Sequence, residues 1–482
     1  MMAATNLRIP GLNEVEQDTL TSLLGQLEAK HARNFLRSSY YDGKHAIRQV
    51  GSVIPPQYYR LGLVLGWTAK GVDALARRCN LDGFVWTDGD LDSLGLGEFI
   101  DDNRLFAELK AGRVQSLIHG VSFLINTTGA PGEPPSLLHV KDALSATGTW
   151  NGRKRALDDL LSITSRDDDG NPDGLVLYLD GLTVTAEKDS SGWQIERQSH
   201  RWGVPAEPLI YKPWQRPFGF SRISRAMMSA NDQAVRSLIR LEGHMDIYSY
   251  PELWMLGADA SIFKNADGSP KAAWQVMLGR IKGIPDDRDA EPGSQRADVK
   301  HFPASSPEPH LAALNAFAKL MAREASLPDE DFALSDLANP TSAESYTASR
   351  EGLIAEAEGA TDDWSLPTRR AVARGLAIRD GDPDLMGALR GLEPKWRSPA
   401  YTSRASQADA GLKQISAAPW LAETEVGLEL LGLSEQQIQR AVAERGRAQA
   451  RQTLDGLVAA GGTQRLSRPR NAPAVAADAD AD

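Results

Sequence analysis

The densest group of side chains able to do chemistry is Asp167-Asp168-Asp169, followed closely by Asn171 and Asp173. Carboxylates at every second position are how a loop surrounds a hard divalent cation with oxygen. From Asp169, the series Asn171, Asp173, Gly174 and Asp180 keeps the spacing of a calcium loop, but it ends in Asp where a bidentate Glu is normal. The run GLVLYLD after Asp173 is strand-like, where a calcium loop would open a helix, and Asp, Asn, Pro and Gly together are hairpin-turn chemistry. The expectation is a turn holding no metal. The competing enzyme reading, a metal-dependent hydrolase or nuclease, would take Asp167, Asp168, Asp169 and Asp173 as its ligands.

Other catalytic signatures fail on specific residues. A phosphate-binding loop needs Lys followed by Ser or Thr, and Gly43-Lys44 is followed by His45. Gly95-Leu96-Gly97 has Ile100 where a dinucleotide loop requires its third glycine. The eight histidines are scattered singly, and the lone Cys79 excludes an intrachain disulfide or a multi-cysteine metal site. Gly432-Leu433-Ser434 between two helical patterns looks like a helix-turn-helix, with Arg440, Arg445, Arg447 and Arg451 on the second, but Glu435 and Glu444 dilute that face. No catalytic residue, cofactor or metal is expected.

These residues are carried by a chain of 482 residues, 41% hydrophobic and 24% charged, with a net charge of -11. The length calls for several modules, and no apolar run approaches the ~20 residues of a membrane-spanning helix. The start, MMAATNLRIPGLNEVEQ, lacks a basic region followed by an apolar one, so the chain is expected to stay in the cytoplasm where it is made. The acidic balance argues against tight wrapping of nucleic acid, because phosphate binding needs a surplus of Lys and Arg.

Periodicity predicts helices across 13–80, with the stripe Leu20, Leu23, Leu24 and Leu27 and a turn at Tyr40-Tyr41-Asp42-Gly43. Between 115 and 215 it changes to short strands: SFLINT, LLSIT, GLVLYL, LTVTAE and WQIERQ. Residues 221–247 read as the longest helix and 309–326 as a second. Between them, ELWML and RIKGI read as strands and PKAAWQVML as a short helix. Another helix should open near Ser342, and helices return at 405–416 and 421–458, with Ser434 and Gln437 at capping-box spacing. The tail from 466 to 482, poor in large apolar residues, is expected to be disordered. The fold class is α+β.

Several stretches, in their order, resemble the portal proteins of long-tailed double-stranded DNA bacteriophages. YYDGKHAI and LGWTAKGVDALARRCNLDGF are similar to that family's N-terminal pattern, with Tyr41, Gly43, Trp67, Val72, Asp73, Gly83 and Phe84 in place. HGVSFLI, LVLYLDGLTVTAEKDSSGWQIERQSHRWGVPAEPLIYKP and GFSRIS resemble wing strands leading into a stem helix. ASLPDEDFALSDLANPTSAESYTASREGLI resembles the loop-to-helix transition, and PKWRSPAYTSRASQADAGLKQ the entry to the crown. The resemblance implies an α+β multi-domain fold: a helical and α+β wing at 1–217, stem helices at 218–248 and 306–328, and a small mixed clip at 249–305. A tunnel loop at 329–341, a wing helix and return at 342–395, a helical crown at 396–465 and the tail complete it.

It also implies a non-enzymatic ring of about twelve subunits at one capsid vertex, passing double-stranded DNA without reading its sequence. Implied partners are the terminase large subunit, a head–tail adaptor, the major capsid protein and scaffold, with assembly in the host cytoplasm and residence in the virion. The residues implied to face DNA are Asp329, Glu330, Asp331, Phe332, Asp336, Leu337 and Asn339. The residues themselves agree: the loop carries carboxylates and neither Lys nor Arg, which suits a lining along which DNA slides. The structural rival is another head-completion connector or adaptor, disfavoured by the chain's length and its two stem-like helices.

Overall fold

The computed structural model describes residues 7–45, 62–214, 216–248, 252–256, 265, 267–269, 291, 298–302, 306–332, 348–400 and 403–465. The chain divides into two compact units, Met1–Pro399 and Ala400–Asp482.

In the first unit, α1 spans Glu14–Tyr41. Its start is closed by a capping box: the Asn13 side chain accepts from the Glu16 N–H and the Glu16 carboxylate from the Asn13 N–H, each at 2.9 Å. Next come α2 (Trp67–Ala76), β1 (Leu81–Trp86), α3 (Leu96–Asp102) and α4 (Leu105–His119). Eight strands follow: β2 (Val121–Thr128), β3 (Ser136–Asp142), β4 (Ala146–Asn151), β5 (Ala156–Arg166), β6 (Pro172–Leu179), β7 (Leu182–Asp189), β8 (Gly192–Ser199) and β9 (Ala206–Ile210). Strands β4 to β8 form an antiparallel meander, and β3-β2-β9 a second sheet. Alternation along the meander sends Leu161, Ile163, Leu175, Leu177, Val184 and Ala186 to one face, where the Leu20, Leu23, Leu24 and Leu27 stripe of α1 covers them. Leu160, Val176 and Tyr178 point the other way, onto Val121, Phe123, Ile125 and Ile210 of the second sheet. All five runs expected as strands lie in β2, β5, β6, β7 and β8.

Helix α5 covers Arg225–Tyr248, β10 Glu252–Leu256, β11 Asp298–Phe302, and α6 Glu308–Glu324. ELWML is the strand β10, but its antiparallel partner is DVKHF. RIKGI and PKAAWQVML lie outside the described residues. Helices α5 and α6 run antiparallel: Ser224 meets Glu324 at one end, and the His244 and His310 rings lie 5.1 Å apart near the other. Met227, Ala230 and Ala234 pack with Leu314, Ala318, Met321 and Ala322 in the main core. The alanines in the seam let the two backbones approach.

The long helix α7 (Glu351–Asp380), a short turn α8 (Leu385–Ala388) and β12 (Leu392–Trp396), which pairs with β1, complete this unit. At 30 residues α7 is longer than the 24-residue α5, contrary to the expectation that α5 would be the longest. Trp364, Val372 and Leu376 of α7 are fully buried among residues of α2 and α4.

The second unit consists of α9 (Arg404–Ala417), α10 (Glu425–Leu430) and α11 (Glu435–Arg465). Between α10 and α11, Gly432 takes a left-handed φ of 83°, and Gln437 reaches back to the Ser434 N–H at 2.9 Å. Arg445 is drawn to the Glu423 carbonyl at 3.0 Å. The expected disordered tail lies outside the described residues.

The Asp-rich segment is the turn joining β5 to β6. The Asp167 carboxylate accepts from the Asn171 N–H at 2.7 Å, and Asp173 from the Ser165 hydroxyl at 2.5 Å. Strand β6 then separates Asp173 from Asp180 by about 23 Å, so the two cannot ligate one ion.

Candidate functional site at the foot of the helix pair

The last turn of any helix leaves carbonyls without partners, and in α4 these are taken by the segment that leads into α5. Arg222 N–H donates to Leu117 O at 2.8 Å, and the Ser221 hydroxyl to Ile118 O at 2.6 Å. This use of Ser221 and Arg222 is why α5 starts at Arg225 and not at 221. The chain can reverse here because Gly120 (φ 100°) and Gly219 (φ 60°) are glycines: a Cβ on Gly219 would sit 2.1 Å from Tyr211 O.

Arg222 is thereby driven into the core, 5% exposed, and its guanidinium joins three distant parts of the chain. Nε donates to Gly71 O on α2 at 2.8 Å, and Nη2 to Ala325 O at the end of α6 at 2.7 Å. Nη1 pairs with the Glu356 carboxylate on α7. Glu356 also accepts from the Tyr211 hydroxyl and, at 2.7 Å, from Lys212 Nζ. Burial alone would raise the Glu356 carboxyl, but the Arg222 charge, with the hydrogen bonds from Arg222, Lys212 and Tyr211, holds it down to about 2. The Arg222–Glu356 pair is therefore charged at neutral pH. It clamps the segment entering α5, the C-cap of α6 and the middle of α2 onto α7.

Immediately above this clamp α6 ends. Leu327 N–H reaches back to Ala322 O at 3.0 Å, with Ser326 in a left-handed conformation (φ 51°) in place of the usual glycine. Pro328 then starts a single 3-10 turn, Asp329–Asp331. Asp329 and Glu330 are exposed. Asp331 is not: its carboxylate lies 3.2 Å from Arg350 and 3.5 Å from Lys70, and Lys70 also donates to its backbone carbonyl. Phe332 is buried, 7% exposed, edge-on to Trp67 at 5.8 Å.

The structure thus divides the expected DNA-facing set. Asp329 and Glu330 face solvent, while Asp331 and Phe332 turn inward as anchors. Asp336, Leu337 and Asn339 lie outside the described residues. The expectation of an acidic loop without compensating cations is corrected at Asp331, whose cations come from α2 and from the residue preceding α7. Sequence reasoning also missed the Arg222–Glu356 clamp. Its only trace was the pair of stretches LIYKP and GFSRIS, which hold Tyr211, Lys212 and Arg222 without any mark of their common partner.

The arrangement is a pedestal from which the loop after α6 departs. The family model described as phage portal protein, SPP1 Gp6-like, matches residues 22–450. The chain belongs to this phage portal protein family. The portal proteins of Mycobacterium phages L5 and D29 are each 22% identical to this portal chain, over 431 and 423 residues, covering 84% of both sequences in either pair. Among solved structures, the neck of the native GTA particle computed with C12 symmetry is similar at 16% identity and a TM-score of 0.40. That match covers 76% of this chain and 89% of the other. The neck of the empty GTA particle computed with C6 symmetry is similar at 16% identity and a TM-score of 0.41, covering 82% and 97%. The portal family is a structural one, and the chain is a head–tail connector component of a phage virion. Among its described residues no helix is long and apolar enough to cross a membrane.

Proposed function

We propose that the chain closes head-to-tail into a ring of about twelve copies at one capsid vertex. Double-stranded DNA enters through its channel during packaging and leaves by it at infection. The antiparallel α5/α6 pair is the stem, and the segment between its helices is the clip that docks the terminase and later the tail adaptor. Capsid protein and scaffold meet the outer surface, and assembly takes place in the host cytoplasm. No step of this role asks for catalysis, a metal or a cofactor.

The observation that carries this reading is the stem's foot: two helices clamped to the core by Arg222 and Glu356, ending in a turn that presents Asp329 and Glu330 outward. Carboxylates cannot condense on phosphate, so DNA slides past without being held by counterion release. Asp329, Glu330, Asp336, Leu337 and Asn339 are the lining, and Asp331 with Phe332 fixes the loop's root.

The test is to replace Asp329 and Asp336 by Lys, leaving Asp331 with its partners. Each new cation is repeated once per subunit, and each phosphate neutralised adds a slope of roughly 0.9 to the log–log salt dependence of DNA retention. Packaging per procapsid is expected to stall at low salt and recover as salt is raised, with rings intact by electron microscopy. Unchanged packaging at low salt by intact double-Lys rings overturns the channel assignment.

A further inference from the structure

Three cations on α1, Lys30, Arg33 and Arg37, recur at i, i+3 and i+7, and so lie along one side of the helix. The reversal after β9 brings a fourth, Arg216, beside them. Lys30 Nζ stands 4.7 Å above the Phe218 ring, and the Arg216 guanidinium 4.6 Å from the Phe220 ring. Phe218 is seated edge-on against Phe123 of the sheet core, so the aromatic floor of this patch is fixed. The Arg37 guanidinium donates to His119 O at 3.0 Å. None of the four cations forms an ion pair among the described residues. Burial, and after it the neighbouring charges of Arg33 and Arg216, lowers the Arg37 pKa to about 10. Trp214, two residues from Arg216, is 78% exposed.

Four unpaired cations with an exposed tryptophan, in a chain of net charge -11, form a surface with half of a contact. Arg and Trp are the residues that dominate the centres of protein interfaces. The other half is present elsewhere in the same unit. Arg379 at the end of α7 donates to Leu94 O and Gly95 O at 2.7 and 2.9 Å, which joins the α3 corner to the end of α7. The exposed Glu98, Asp102 and Asp380 therefore gather around that one guanidinium, and the exposed Asp101 and Asp382 adjoin them in sequence, with Arg104 and Arg390 as the other cations nearby in sequence.

We infer that the Lys30/Arg33/Arg37/Arg216 patch is the docking surface for the acidic α3–α7 corner of a neighbouring copy. Head-to-tail closure needs two different, complementary faces on each subunit, and these two supply the opposite charges. Like-charged copies repel unless such faces meet. Cations held over aromatic rings, Lys30 over Phe218 and Arg216 over Phe220, also suit a stable protein contact better than a sliding phosphate contact. The inference rests on the ring reading above and specifies which surfaces make the ring.

The experiment uses the full chain with two charge-reversed variants, Arg33→Glu with Arg216→Glu, and Asp101→Lys with Asp102→Lys, all at exposed positions. Native mass spectrometry and electron microscopy read the ring fraction, and circular dichroism confirms that each variant folds. Each variant alone is expected to need at least about tenfold more protein to form rings, because the altered face loses its net charge and sets two groups of the wrong sign against the unchanged face of the next copy. An equimolar mixture is expected to recover rings of alternating subunits, and the recovery should weaken as salt screens the pairing. Reversed variants that assemble alone like the parent overturn the contact and leave the ring reading standing. Loss of rings without recovery on mixing, accompanied by weaker DNA retention, overturns it in favour of a nucleic-acid surface. A parent chain that forms no rings at any concentration sinks the ring reading, and this contact with it.

Discussion

At the scale of single residues, function depends on charges held where water cannot reach them. Arg222 pairs with Glu356 inside the core; removing Glu356 leaves Arg222 as an uncompensated buried charge, and removing Arg222 leaves Glu356 with the Lys212 charge alone and the carbonyls of Gly71 and Ala325 without their donor. Arg222→Met is expected to destabilise the fold by about 3–5 kcal/mol. The double variant with Glu356→Gln should lose clearly less than the sum of the two single losses, as denaturant unfolding in a double-mutant cycle would reveal. Additive losses would mean that the two residues act independently. His119, the last residue of α4, is 5% exposed, and burial lowers its pKa from 6.5 to about 4, partly opposed by Asp142. The unfolded chain therefore takes up its proton before the folded one does. The contribution to stability is complete above pH 6.5 and is lost as pH falls toward 4, amounting to roughly 3 kcal/mol in all. Unfolding free energy measured across this window should flatten in His119→Gln by up to one proton's slope, about 1.4 kcal/mol per pH unit at most. An unchanged slope would show that His119 titrates normally.

At the scale of elements, the decisive feature is how α6 stops. A helix that ends just below a loop has to turn the chain sharply, and Ser326 does so in a left-handed conformation that costs a residue with a Cβ about 1–2 kcal/mol. Glycine would relieve the strain while giving back part of the gain through greater freedom in the unfolded chain. Ser326→Gly is therefore expected to raise stability by about 0.5–1 kcal/mol, seen as an increase in Tm. A fall in Tm would mean that the serine makes a compensating contact. Gly71 plays the opposite part in α2, since a Cβ there would lie 2.6 Å from Met227 Cε and 3.6 Å from Ala325 Cβ. At Gly71, α2 thus lies against α5 and the end of α6 with no room for a Cβ unless the Met227 side chain moves, and the carbonyl of the same residue receives Arg222.

At the scale of the whole molecule, the two units are unequally built. The Met1–Pro399 unit carries three large buried clusters, whereas among the described residues of Ala400–Asp482 the only buried large hydrophobic residue is Ile438. Leu412, Trp420, Val426, Leu454 and Leu457 are exposed. A helical unit with so little core has few buried apolar contacts to resist local opening. Hydrogen exchange on the unassembled chain is expected to show amides of 404–465 opening far more readily than those of β5 and β6. Assembly should slow the former much more than the latter. Equal protection of the two units before assembly would contradict this.

Much of the molecule was legible in its residues. The period of the apolar positions set α1 and the meander, since the side chains that cover one another there follow helix and strand spacing along short stretches of chain. The order of those stretches carried the portal resemblance, and the misplaced residues at Gly43-Lys44-His45 and at Ile100 removed the familiar nucleotide sites. What the sequence did not disclose was the partnership of charges. Asp331 reads as one more carboxylate of an acidic loop, yet its partner Lys70 is 261 residues away. Arg222 reads as an ordinary basic residue before a helix, yet it bonds to Gly71 across 151 residues. Periodicity reports which face of an element is apolar, because that pattern repeats locally. Which single carboxylate meets which single cation depends on where the backbone returns after long excursions, and only the tertiary structure decides it.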